Sequence, residues 1–107
     1  MSWFFCKLVP PRPTFIADMS AAELALMQAH GAYWAPLVAS GQILAMGPVA
    51  DPKGGFGAMF IEGSNQTEIA TLTARDPVIL AEKGFVMEIS SMPQLATRFH
   101  THAEPEN

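Results

Sequence analysis

The chain has 107 residues, half of them apolar and only 15% charged, with ten acids against six bases for a net charge of −4. That length fits one domain with a modest core, and the apolar surplus leans toward burial against a second subunit. There is no Lys/Arg cluster, no apolar run long enough for a membrane span and no basic stretch ahead of an apolar one at the N-terminus, so neither nucleic-acid binding, membrane insertion nor a secretory signal is expected. Cys6 stands alone, which excludes an internal disulfide and makes a reducing cytoplasm the default location.

Residues 2–9, SWFFCKLV, are β-rich and aromatic and read as a strand that ends at Pro10-Pro11. A Pro-rich loop, PPRPTF, follows. Ser20 with Glu23 three residues later is a capping box, and apolar residues then recur at helical spacing through Leu26, Met27, Tyr33, Trp34, Leu37 and Val38 to a stop at Gly41. Pro36 lies inside that helix and is expected to kink or shorten it near residues 32–35. QILAMGPV is a second strand and FGAMFIE a third, joined by a glycine-rich connection that suits an antiparallel hairpin. Asn65 and Glu68 open a second helix over QTEIATLTARDPVILAEKG, interrupted at Asp76-Pro77 and closed by Gly84. FVMEIS is a fourth strand. The chain then divides into a domain over 1–93 and a polar tail over 94–107, loosely ordered except where residues 95–99 dock on the body.

The order β-α-β-β-α-β predicts an α+β, ferredoxin-like domain: a four-stranded antiparallel sheet with two helices on one face. The first and third strands carry apolar residues at both parities (Trp3, Phe4, Phe5, Cys6, Leu8; Ala58, Met59, Phe60, Ile61). A sheet with one wet face would alternate. The second face is therefore expected to meet something apolar, and a second copy of the sheet is the simplest candidate.

His30 falls near the middle of the first helix's apolar stripe, between Leu26 and Tyr33. Two readings stand. It is a core histidine satisfied by one hydrogen bond, or it is an imidazole at the rim of a pocket, oriented by a carboxylate as a general base is. Asp51, after the Gly47-Pro48 break at the end of the second strand, is the carboxylate that the order of elements offers. It reads equally well as a turn former ahead of Pro52. Asp76 before Pro77 reads as a turn residue that re-caps the second helix. Gly47, Gly54, Gly55 and Gly57 lack the GxxxxGK[ST] pattern of a phosphate loop, Ser40 lacks a GxSxG context, and the methionines read as core filler. His100 and His102 have no third ligand near them in sequence, so no metal site is expected.

The helix MQAHGAYWAPLVASGQIL, the strand exit AMGPVADPKGG and the segment ARDPVILAEKGFVMEI together resemble the YCII-related (YciI-like) family over roughly residues 2–93. The resemblance implies a dimeric α+β barrel, two ferredoxin-like sheets face to face, with a histidine-aspartate pair that by position would be His30 and Asp51. One branch of the family is associated with dehydrochlorination of a chlorinated hydroxyhydroquinone, a lyase-type reaction. The chain is thus expected to be a homodimeric, cofactor-free enzyme that moves a proton on a small, aromatic or carbonyl-bearing molecule, by elimination or isomerisation. Tyr33, Trp34, Gly47, Pro48 and Phe56 are the candidate pocket walls. Two alternatives stand beside it: a dimer that binds a small ligand or a protein without turnover, and a cofactor-free oxygenase of quinol-type substrates.

Overall fold

Strand β1 (Ser2–Val9) lies inside the sheet, pairing antiparallel with β3 (Phe56–Gly63) on one side and β4 (Val86–Met92) on the other. The computed structural model, which describes residues 1–98 and 101–103, places β2 (Ile43–Val49) outside β3, so the order is β2-β3-β1-β4. This is the split βαβ arrangement that the element order predicts. A strand paired on both edges has the strongest demand for apolar residues, which is why the aromatic run sits at β1.

Alternation then assigns the faces. Phe4 opposite Ile61 and Cys6 opposite Met59 point to the helical side and join Trp34, Ile43 and Ile69 in the core. Phe5 opposite Phe60 points the other way, the two rings 5.4 Å apart between centroids. Lys7 shares that second face and sets its ammonium 4.6 Å over the Phe56 ring. A bulge between Ile43 and Ala45 shifts the pairing of β2 and turns Leu44 out to solvent.

The long helix α2 (Ala21–Ser40) starts and stops where the sequence says. Ser20 Oγ accepts from the Glu23 amide at 3.1 Å and Glu23 returns a carboxylate oxygen to the Ser20 amide at 2.9 Å. Gly41 ends the helix in the left-handed region at φ 87°. Pro36, however, does not shorten it: the helix runs on to Ser40. Pro36 is exposed, so water can satisfy the Ala32 carbonyl it releases, while neighbouring Trp34 is fully buried and pins the turn.

The second helical segment is two pieces, α3 (Gln66–Ala74) and α4 (Pro77–Leu80), hinged at Asp76 with Pro77 in the first turn of the second. Two elements were not expected. One is a single turn, α1 (Phe15–Asp18), inside the Pro-rich loop. The other is a short hairpin, β5 (Gln94–Ala96) with β6 (Thr101–Ala103), in the tail. His100 lies outside the described residues, and only the backbone of His102 is described.

The Pro-rich loop is a strap rather than a linker. Its ring Phe15 meets Phe85 edge-on at 5.2 Å, and Pro13 and Ile16 press on Gly54 and Gly55 so closely that a side chain at Gly55 would collide with Ile16. Arg12 ties the strap to the start of α2. Its guanidinium donates to both Glu23 oxygens, at 2.7 and 2.8 Å, and to Asp18 Oδ1 at 2.7 Å. These donors hold the Glu23 carboxyl down, at about 2 against an ordinary 4.5. A carboxyl lowered by folding stabilises the fold above its ordinary value and loses that contribution as pH falls toward the folded one. Thermal melts of Glu23→Gln should therefore start below the wild type at pH 6 and converge on it by about pH 2. Parallel curves across that range would show that the clamp carries no stability.

Candidate functional site

The sheet, α2 and the strap enclose a cavity of about 460 Å³, within the range of small-molecule sites. Its floor is the helical face of β1 and β3, at Cys6, Leu8 and Met59; the strap contributes Phe15, Ile16 and Met19; α2 contributes Met27, His30, Gly31 and Trp34. Nearly every wall is apolar. Cys6 is almost fully buried and burial pushes its thiol up to about 11, so it stays protonated at neutral pH and is no nucleophile.

His30 is the polar group on that wall, and its carboxylate is Asp76. The imidazole Nδ1 lies 2.6 Å from Asp76 Oδ2. An ionised carboxylate only accepts, so Nδ1 carries the proton and Nε2 is the nitrogen left for the cavity. Trp34, one turn on from His30 and so on the same face of α2, donates its indole N–H to the same Asp76 Oδ2 at 2.7 Å. Asp76 Oδ1 accepts from the Val78 amide at 3.0 Å and caps α4. Asp76 is fully buried and every one of these donors is spoken for. The expectation that Asp76 re-caps the helix therefore holds for one of its oxygens, and the other is the group that orients His30.

Asp51 does not pair with His30. It is exposed at the turn between β2 and β3, where Oδ1 accepts from the Lys53 amide at 2.9 Å and its carbonyl accepts from Gly54 at 3.0 Å. The physical reason is geometric: the turn between β2 and β3 packs on the strap, where Gly54 meets Pro13 and Gly55 meets Ile16, whereas α4 packs against α2. Asp51→Asn should cost less than about 1 kcal/mol, the scale of one exposed turn hydrogen bond, and leave ligand binding unchanged. A tenfold loss of affinity would return Asp51 to the site.

Among the other expected walls, Trp34, Gly47, Pro48 and Phe56 do border the cavity. Tyr33 does not: its hydroxyl donates to the Leu72 carbonyl at 2.7 Å and holds α2 to α3, and burial raises its phenol. The sequence carries a signal for the burial of Asp76, though not for its pairing with His30. Ile69, Thr73 and Asp76 stand at i, i+4 and i+7, and all three are buried. The helical spacing carries past the end of α3 at Ala74 to Asp76, just ahead of Pro77, and sets the carboxylate on the inner face.

No curated protein matches the chain. Among solved structures, the fold is similar to that of the 5-chloro-2-hydroxyhydroquinone dehydrochlorinase from Burkholderia phenoliruptrix AC1100 in complex with 2,5-dihydroxybenzoquinone. The TM-score is 0.56 at 20% identity, over 79% of this chain and 90% of that one, a likeness of fold. The YCII-related domain model matches residues 3–93, and the chain belongs to the YCII-related family.

Proposed function

We propose that the chain is an enzyme of the dehydrochlorinase kind, in which His30 Nε2 takes a proton from a small aromatic substrate held in the cavity. The observation that carries this reading is the short contact between His30 and a fully buried Asp76 at the wall of an apolar cavity. Asp76 fixes the tautomer and stabilises the imidazolium that forms when Nε2 is protonated. Dry walls strengthen that charge pairing and suit a flat ring with few polar groups. The electron pair left on the substrate either expels a leaving group, an elimination, or is reprotonated elsewhere on the ring, an isomerisation. No helix among the described residues is long and apolar enough to cross a membrane, and the apolar second face of the sheet, with Phe5 and Phe60, supports pairing of two copies.

A second reading, binding without turnover, draws on the scarcity of polar groups: among the described residues, the cavity walls hold a single titratable side chain besides His30, the Cys6 thiol. Incubation with 5-chloro-2-hydroxyhydroquinone, with chloride release followed by electrode, separates the two. Chloride release by the wild type that is lost in His30→Asn supports the proposal. Tight binding of 2,5-dihydroxybenzoquinone with no chloride released overturns it in favour of the binding reading, and oxygen uptake with a hydroquinone overturns it in favour of an oxygenase.

A further inference from the structure

Gly31 stands in the middle of α2, beside His30, and nothing in the fold calls for a glycine there. Its φ is not positive: the positive-φ glycines are Gly41, Gly54 and Gly84. Among the described residues, a Cβ built on Gly31 meets no atom within 4 Å beyond its own stretch of helix, so no packing neighbour there needs the space. Yet glycine in a helix interior is the poorest choice after proline, for want of backbone restraint in the unfolded chain. The residue borders the cavity and is exposed to solvent. It therefore lies where the cavity opens, on the same wall as His30, whose Nε2 the Nδ1–Asp76 pairing leaves free.

The other glycines on the cavity have their own reasons. A side chain at Gly55 would strike Ile16, and one at Gly57 would come within 3.3 Å of Leu8 Cβ. Gly47 is open as well, but it alternates with Met46 and Pro48, both cavity walls, so its missing side chain belongs to the opposite face of the sheet. Gly31 is left as the glycine whose bare backbone faces the mouth of the site with no partner among the described residues.

We infer that Gly31 is a specificity-determining residue: the body of a ring-shaped, uncharged ligand lies over its backbone while a hydroxyl meets His30 Nε2. The missing side chain sets how large a substituent the ring carries on that side. The walls argue for the ligand class. Among the described residues they offer apolar surface and one basic nitrogen, with no cation on the wall to hold a carboxylate or a phosphate. A phenol or quinol matches that pattern; an acid of the same size does not. The inference rests on the reading of the cavity as the substrate site.

Calorimetric titration with phenol, 4-methylphenol and 4-propylphenol tests it, on the wild type, Gly31→Ala and Gly31→Leu, alongside thermal melts. Gly31→Ala should melt about 4–8 °C above the wild type, because alanine restores helix propensity without a clash. The same variant should bind 4-propylphenol roughly fivefold or more weakly, and Gly31→Leu should lose all three phenols by tenfold or more, the scale of one buried group. Raised melting with unchanged affinity for every phenol would overturn the inference while leaving the wild-type site intact. A fall in melting for Gly31→Ala would also overturn it, since it would show a packing partner at that position. Absence of phenol binding by the wild type would overturn the inference and the reading of the cavity together.

Discussion

Asp76→Asn is expected to lower the melting temperature by roughly 12–20 °C, equivalent to about 3 kcal/mol in a domain of this size. The substitution changes no volume. Its cost comes from donors. The carboxylate accepts from His30 and Trp34 at one oxygen and from the Val78 amide at the other. An amide has one oxygen to offer. If that oxygen faces His30 and Trp34, the amide nitrogen meets the Val78 N–H and the cap of α4 is lost. If it faces Val78, the Trp34 N–H is stranded and His30 must switch its proton to Nε2 to accept from the amide. Either way a fully buried donor goes unpaired, which is costlier than the loss of an exposed bond.

The second orientation also removes the free base. Imidazole 15N shifts distinguish the outcomes: the wild type should show the proton on Nδ1, and Asp76→Asn should show it moved to Nε2 or mixed. A melting temperature within about 2 °C of the wild type, with the tautomer unchanged, would show that Asp76 holds neither α4 nor His30. Asp51→Asn provides the contrast, because its carboxylate meets water and one turn amide.

How far the sequence spoke for itself follows from what kind of signal each feature carried. The sheet was legible because alternation and chain order fix it: Phe4, Cys6 and Leu8 had to share a face, and β1 had to lie inside. The ends of α2 were legible because Ser20 with Glu23 and Gly41 satisfy backbone groups locally. His30 was legible as a candidate because a titratable ring in an apolar stripe needs a partner. The partner was not. Asp51 and Asp76 both precede a proline, and local chemistry gives each a turn role, which each indeed has. What separates them is tertiary: α4 packs along α2, and Asp76 alone has a second oxygen turned inward. The strap is not legible in the sequence for the same reason. Its prolines read as a loop, while its role depends on Arg12 reaching Glu23, eleven residues on.

His30→Asn and His30→Phe together decide whether the histidine is there for chemistry. Asparagine's side-chain nitrogen can take the place of Nδ1 and keep donating to Asp76, so the buried carboxylate keeps its partner. It offers no basic nitrogen to the cavity. His30→Asn should therefore melt within about 1 kcal/mol of the wild type and lose turnover by roughly a hundredfold or more, the scale of one acid-base group. Phenylalanine fills the ring's space but donates nothing. Asp76 would keep Trp34 and Val78 and lose one charge-assisted bond, worth about 1–3 kcal/mol, against burial that returns about 1–2 kcal/mol. The net should lie between a gain of about 1 kcal/mol and a loss of about 2 kcal/mol, with turnover as low as in the asparagine variant. The pair of outcomes matters more than either. Equal loss of turnover at unequal stability identifies Nε2 as the group that acts on the substrate, because Nδ1 is restored in only one of the two. Turnover that survives in His30→Asn would assign the chemistry elsewhere. A loss of several kcal/mol in both variants would make His30 a strut between α2 and α4, and the cavity beside it a site without a base.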